Sequence, residues 1–540
     1  MSLRTLLFRN LLRQNKVTNF TPIVLQAKSY SRNERHKWNP KRDTAITLLA
    51  SIAVSSAVND DQKKTKKQDI VEAGDKRPDL PTFRAEEVSK HDTKKSFWVI
   101  YRHGVYDVTS FLPSHPGGEQ IMNAGGLSIE PFWNVYGMHK TKEIFEILES
   151  YRIGNLHDDD VADHSDDELW AKEPYRDKRL IVKTAKPFNA EVPPKVQIEQ
   201  FNTPNEVFYV RQHMPVPDID VKEHKLTVTI VGKNTKVKEF TLEDLKKFKP
   251  VSINAALMCA GNRRSEMNKQ VKPVKGLSWT TGAISNAEWS GVLLRDVLMH
   301  CGLDLNDLEG KHVILTGADT DATGVQFSTS LPLQQALGSV LLATHMNGDP
   351  LPPDHGRPLR AVVPGAPAVR SVKWLQSITI STEESSSHWH LKDYRSFNPS
   401  TTWETADFST APPVYSLPVT SAICDPEDGE TVKVKNGHIE VKGYAYSGGG
   451  AKVLRVDVSA DGGRSWREAR LRSHPSPPNQ HYSWTLWTID LPTRGDKQME
   501  LWVKATDSNF NTQPEKFDDI WNIRGILSNA YHKIKINLKY

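Results

Sequence analysis

Two histidines, one cysteine and a few arginines carry the chemistry open to this chain. His115 begins the run His115-Pro116-Gly117-Gly118, and His139 follows after 23 intervening residues. Proline pushes the residue before it into an extended conformation, and glycines accept backbone angles that other residues resist, so the run predicts an imidazole presented at a sharp turn. Gly125-Gly126 marks a second break, and Pro131 opens a short apolar helix, Phe132 to Tyr136, that delivers His139. Two such loops clamp a flat ring between them. Two neutral imidazoles on one haem iron fill both axial positions and leave none for oxygen or substrate, which suits an electron relay.

The second constellation is Leu257-Met-Cys259-Ala-Gly-Asn-Arg263-Arg264, an apolar strand running into a glycine turn that bears two guanidiniums. A thiolate is a soft ligand for a second- or third-row metal, and nearby positive charge favours the thiolate form. The chain has only three cysteines, Cys259, Cys301 and Cys424, too few for a disulfide framework or a four-thiolate metal site. Any thiol chemistry therefore rests on one residue. Arginines at 211, 264 and 524 stay charged at every working pH and offer forked donors, so their convergence would hold a small doubly charged anion.

The elements that must position these groups divide a chain of 540 residues, too long for one core. Residues 80–157 form a compact unit with short strands at Phe97–Ile100 and Val105–Val108 and a helix at Ile144–Leu148. Asp158 to Glu168 is a dense acidic run that buries nothing, so 158–173 reads as an exposed flexible hinge. About sixteen flexible residues span on the order of 20–25 Å, enough for the first unit to change docking partners. The run either attracts a basic carrier or serves as a solvated spacer. Residues 174–400 mix strands (Lys225–Val231, His312–Leu315, Leu359–Val363, Ile378–Ile380) with helical stretches (Leu242–Phe248, Gly291–Cys301), predicting one α+β domain. From 401 to 540, short alternating strands separated by Gly, Pro and Asp turns predict an immunoglobulin-like β-sandwich. The whole is multidomain α+β.

Composition bounds the rest. Hydrophobic residues are 38% and charged residues 25%, as in soluble globular domains. Net charge is +5, but residues 1–32 hold Arg4, Arg9, Arg13, Lys16, Lys28 and Arg32 with no acid, so the basic balance does not argue for nucleic acid. Residues 1–79 read as a mitochondrial presequence, a short apolar sorting segment and a linker. The apolar segment, Ala45 to Val58, has about fourteen residues where a spanning helix needs about 20. No permanent membrane anchor is expected, with a marginal anchor as the alternative.

Residues 80–157, through His115-Pro-Gly-Gly, His139, Trp98-Val and Val105-Tyr-Asp-Val-Thr109, resemble the cytochrome b5 fold. Thr203 to His532 resembles the molybdenum core and dimerisation domain of the sulfite oxidase family. Thr203-Pro-Asn-Glu-Val-Phe-Tyr-Val-Arg-Gln-His213 matches the family's first pterin-binding stretch, and Cys259-Ala-Gly-Asn-Arg-Arg-Ser-Glu-Met267 matches the segment whose cysteine ligates molybdenum. The resemblance implies that His115 and His139 ligate the iron of haem b and Cys259 ligates molybdenum. It also implies that Tyr209, Val210, Arg211, Gln212, His213, Asp319, His355, Arg360, Ser371, Val372 and Lys373 hold molybdopterin, and that Arg211, Arg264, Arg524, Tyr394 and Trp279 form the catalytic substrate pocket. Departures are Gln212 where relatives often have Asn, Ala366-Pro-Ala-Val369 in place of a Val-Val-Gly-Ala run, and one extra residue before Trp279.

The implied activity is oxidation of sulfite to sulfate, the last step of sulfur amino-acid degradation and a detoxification. Electrons would leave singly through the haem to cytochrome c in the mitochondrial intermembrane space, from a homodimer formed through the C-terminal domain. Nitrate reductases share these modules but place the haem unit after the molybdenum unit, so module order favours sulfite. The other alternative is a haem electron carrier whose C-terminal part is a scaffold without a catalytic metal.

Overall fold

Alternation of apolar residues sets the first sheet of the computed structural model, whose described residues are 72–136, 139–161, 170–321 and 323–540, the side chain of Glu119 excepted. Along the strand Ser96–Tyr101, Phe97 and Val99 face a helical layer while Trp98 and Ile100 face the opposite side, the two-residue period of a strand buried on both faces. The sheet runs Thr82–Phe83, Arg152–Leu156, Gly104–Asp107, Ser96–Tyr101, Asp92–Thr93. The expected presequence and the segment Ala45–Val58 lie outside the described residues. Among those described, no helix is long and apolar enough to cross a membrane.

On one face of that sheet the chain turns through 3-10 segments Thr109–Ser114 and Gly118–Ala124, then helices Glu130–Val135 and Lys142–Glu149. Pro131 sits in the first turn of Glu130–Val135, where its missing N–H costs nothing. Thr141 caps the next helix by accepting the Ile144 N–H.

The ends of the acidic run depart from a free hinge. Asp158–Asp160 forms a 3-10 turn on the haem-type unit: Asp158 pairs with Lys76 at 2.7 Å, Asp159 with Arg84 at 3.3 Å, and Asp160 accepts the Ala85 N–H at 2.9 Å. Residues 162–169 are outside the description. Trp170, which follows, is buried, and its indole N–H donates to the Asn134 carbonyl at 2.8 Å. Local charge density predicts solvation, but it cannot foresee the basic side chains and open helix N-terminus that meet these carboxylates in the fold.

An antiparallel sheet and a mixed sheet build the central domain. One pairs Pro250–Met258 with Ile284–Leu293, then Leu341–Met346, which also takes Asp349–Pro350 and Arg360–Val362. The other runs Gln326–Pro332, His312–Thr320, Leu375–Ser381, Lys225–Ile230, Lys236–Thr241, with Leu375–Ser381 parallel to Lys225–Ile230. The helical stretch expected over Gly291–Cys301 is shorter: Gly291–Leu293 completes a strand against Leu341–Ala343, and the helix is Leu294–His300. Strand pairing over a nonlocal partner overrides the local helical pattern there. Val313, Leu315, Leu331, Leu375, Ile378 and Ile380 are fully buried between sheet and helices, each contributing about 1.5–3 kcal/mol by leaving water.

The C-terminal domain packs a four-stranded sheet (Thr420–Asp425, His438–Tyr446, Thr485–Pro492, Arg470–Ser473) on a five-stranded one (Thr431–Lys433, His532–Lys539, Gln498–Asp507, Val453–Ser459, Arg467–Glu468). Gln498–Asp507 alternates between buried and half-buried positions along most of its length, and Val441, Val456, Val458, Leu501 and Val503 fill the space between the sheets. This is the expected sandwich.

Candidate functional site

Strand Pro250–Met258 ends by delivering Cys259 to the floor of a cleft, with the Cys259 N–H tied to the Ala283 carbonyl at 2.9 Å. Tyr394 faces the same cleft from the end of a π-helical turn, Trp389–Asp393. Tyr209, Arg211, Gln212, His213, Asp319, His355, Arg360, Ser371, Val372 and Lys373 line it as well. Segments separated by more than a hundred residues thus meet around one thiol. Val210 is the exception among the expected pterin residues: its side chain packs with Leu180, Ala190 and Val207, and both its backbone groups pair with Ala190. It holds its neighbours in place and does not face the cleft.

The lining is braced from behind. Arg360 donates to the His355 carbonyl at 2.8 Å and the Ser371 carbonyl at 3.0 Å, and its guanidinium lies 4.9 Å over Trp289. His355 donates from Nε2 to the Asn205 carbonyl at 3.1 Å. Burial lowers the His355 pKa to about 4, so the ring is neutral at physiological pH. Burial likewise drives His213 well below its usual range, raises the Asp319 carboxyl and lowers the Lys373 ammonium. Tyr394 is pushed up to about 12, mainly by burial, so it keeps its phenolic proton to donate. Sequence reasoning missed Asp354, which accepts from Gln212 Nε2 at 2.7 Å and pairs with Arg176 at 2.8 Å beneath the cleft. An acid two residues after Pro352 carried no local signal of this.

The pocket arginines divide. Arg211 lines the cleft and donates to Asn189 Oδ1 at 3.2 Å. Arg264 stands just behind the wall, its Nε on the Gly525 carbonyl and its Nη1 on the Leu277 carbonyl, both at 2.8 Å. A Cβ at Gly261, Gly276 or Gly525 would fall 2.5, 2.8 or 2.9 Å from that guanidinium, so the glycines there make its channel. Arg524 is turned to Asp393, with Nη2 at 2.6 Å from Oδ1. Trp279 is buried in the cluster that also holds Cys259. Arg263, the other half of the arginine doublet, points away: in the left-handed region at φ 65°, it grips Glu266 at 2.6 Å and the Ala530 carbonyl at 2.7 Å in the C-terminal domain.

Three buried polar atoms on or beside the lining, His213 Nε2, Gln212 Oε1 and Asp319 Oδ1, have no partner. Buried polar groups are ordinarily paired, so these fit a ligand rich in hydrogen-bonding groups, as a pterin is. Among the described residues no three His, Cys, Asp or Glu converge on one point. A metal at Cys259 therefore needs further ligands from a carrier, and the cleft's donor set suits one.

The second site lies in the first unit. The His115 and His139 rings are parallel to within 6° and their centroids are 6.3 Å apart, room for a metal midway with imidazole bonds of about 2 Å on each side. His115 Nδ1 donates to the Gly118 carbonyl at 3.1 Å and His139 Nδ1 to the Tyr136 carbonyl at 2.9 Å. Those carbonyls fix the proton on Nδ1 and leave both Nε2 lone pairs for the gap. A Cβ on Gly117 would come 2.7 Å from His115 Cε1, which is why glycine follows the proline. Burial lowers both histidine pKa values, keeping the rings neutral. Phe111 packs against His115 at 5.9 Å and Trp133 against His139 at 5.4 Å, and both belong to an apolar cluster with Leu112, Ile121, Met122 and Phe145, a setting that fits a flat macrocycle.

Comparison with known proteins follows the same division. Residues 84–157 match the cytochrome b5-like Heme/Steroid binding domain, 213–389 the oxidoreductase molybdopterin binding domain, and 411–539 the Mo-co oxidoreductase dimerisation domain. The chain is 49% identical over 475 residues to the mitochondrial sulfite oxidase of Drosophila melanogaster, covering 86% of this chain and 82% of that one. With the human mitochondrial sulfite oxidase it shares 44% over 464 residues, 84% of each. Among solved structures, the sulfane dehydrogenase SoxCD of Paracoccus pantotrophus matches in fold with a TM-score of 0.56 and 24% identity, over 70% of this chain and 93% of that one.

Proposed function

The chain belongs to the sulfite oxidase family, and on that premise we propose that it oxidises sulfite to sulfate in the cleft floored by Cys259 and passes the electrons out one at a time through the His115–His139 slot. Sulfite and water give sulfate, two protons and two electrons. Molybdenum on molybdopterin supplies the two-electron chemistry when bound, and haem b supplies a one-electron relay.

The protein's part is ligation, charge and position. Cys259 is the protein's thiolate ligand to molybdenum. Tyr209, Gln212, His213, Asp319, His355, Arg360, Ser371, Val372 and Lys373 hold the pterin, with Val210 bracing them. Arg211, Arg264 and Arg524 draw in and neutralise the sulfite dianion, each charge-assisted hydrogen bond adding about 1.5–3 kcal/mol. Tyr394 donates its retained proton to an oxygen of the substrate, and Trp279 packs in the buried cluster that supports Cys259. His115 and His139 would hold the haem iron through their Nε2 atoms, and the haem would supply a one-electron relay.

The chain acts in mitochondria as a homodimer joined through the C-terminal domain. The finer proposals are the intermembrane space as its compartment and cytochrome c as its acceptor. The observation that carries the reading is one cleft joining Cys259, Arg211 and Tyr394 with the unpartnered polar atoms of Gln212, His213 and Asp319. Anaerobic addition of sulfite to the holoprotein should convert the haem absorbance to its reduced form, and Cys259→Ser should abolish that response with an unchanged resting haem spectrum. Holoprotein containing iron but no molybdenum, or haem that sulfite leaves oxidised, overturns it. Nitrate oxidising the pre-reduced protein would favour the nitrate reductase alternative.

A further inference from the structure

Where the first unit meets the central domain, one cation reaches across with no carboxylate partner among the described residues. Lys275 lies in the loop before Trp279, exposed at its margin, with its Nζ 4.6 Å over the Trp403 ring. From there it donates to the carbonyl of Pro116, the residue after His115. Among the described residues no carboxylate pairs with it, although Arg524 nearby is paired with Asp393. Partial loss of water and the nearby Arg524 both press its pKa down.

A haem in the slot between His115 and His139 would bring an anion within reach of it. Phe111 packs on His115 and Trp133 on His139, both members of this unit's apolar cluster, and a carboxylate among them would lose several kcal/mol of hydration. A haem carries two carboxylates on one edge, and that edge must face the open side of the slot. Pro116, Gly117 and Gly118 are exposed at that opening, and the Lys275 ammonium is fixed against Pro116.

We propose that Lys275 of the molybdenum domain is a ligand for a haem carboxylate, contributed across the domain junction to the cofactor held by His115 and His139. This rests on the haem assignment above. The contact ties haem occupancy to the docked arrangement of the two domains. Because reduced haem carries one more negative charge than oxidised haem, an adjacent ammonium also favours reduction when the domains are together.

The test is a spectroelectrochemical titration of the haem in intact holoprotein and in Lys275→Gln and Lys275→Arg variants. Each is loaded with haem or with haem whose carboxylates are methyl esters. With ordinary haem, K275Q should lower the ratio of reduced to oxidised haem at a fixed poise by about three- to tenfold, the size of one charge interaction at an intermediate dielectric. K275R should restore it. With the diester, parent and K275Q should coincide. Coincidence of parent and K275Q with ordinary haem overturns the proposal. So does an undiminished difference with the diester, which would mean a through-space effect on the iron without carboxylate contact. If the parent binds neither haem nor diester, the His115–His139 assignment itself fails.

Discussion

Replacing Arg263 by methionine isolates a single buried charge and asks what it holds together. Arg263 is fully buried; its Nε and Nη2 meet the two Glu266 oxygens at 2.7 and 2.6 Å, and its Nη1 reaches the carbonyls of Ala530 at 2.7 Å and Ser421 at 3.2 Å. Burial raises the Glu266 pKa, but Arg263 and His532 outweigh it and hold the carboxyl below its ordinary range. Arg263→Met therefore strands a half-buried carboxylate, at up to about 3–5 kcal/mol, and also strips two carbonyls of their donor, at about 1–3 kcal/mol for each left unsatisfied. Arg263→Met with Glu266→Gln removes the charge and should recover about half of that loss, a coupling beyond the sum of the single changes. The assay is urea unfolding followed by tryptophan fluorescence, with molybdenum content in parallel, because Arg263 joins the Cys259 turn to the C-terminal domain. A cost for Arg263→Met below about 1 kcal/mol, or a double variant no more stable than that single one, would refute the reasoning.

Three further outcomes are expected. His355, His390 and His532 are each lowered to about 4, by burial first; since the unfolded chain takes up their protons first, stability present above about pH 6.5 is lost as pH falls through 4, at roughly 3 kcal/mol per histidine. Urea midpoints that stay constant between pH 6.5 and 4.5 would contradict this. Arg211→Gln should lower kcat/KM for sulfite by about 10²–10³-fold, read in steady-state assays at matched molybdenum content; a loss under tenfold would remove Arg211 from the substrate site. Trp170→Phe keeps the ring but loses its 2.8 Å bond to Asn134, weakening docking by about 0.5–1.5 kcal/mol. Stopped-flow haem reduction by sulfite should slow accordingly, and an unchanged rate would show that Trp170 does not hold the domains together.

How much of the site was legible depended on the range of the interaction involved. The His115-Pro-Gly-Gly turn is written locally, since proline and two glycines dictate its backbone and Gly117 leaves room for the ring. The sandwich was legible because its strands alternate at period two. The Gly291–Cys301 helix was overextended because its first three residues pair with Leu341–Ala343, about fifty residues away. The arginine doublet reads as two equivalent charges, yet successive residues in a tight turn point in different directions, and only Arg264 stands behind the cleft wall.

The sequence by itself determined the family, the order of its modules and the two cofactors they take, because motif residues near each other in the chain impose their own backbone. Tertiary structure alone decided that Arg524 rests on Asp393, 131 residues earlier, that Asp354 underpins Gln212, and that Lys275 meets Pro116, 159 residues apart. Contacts at such separations depend on how whole domains pack, and a buried charge takes whichever partner that packing brings within hydrogen-bonding reach.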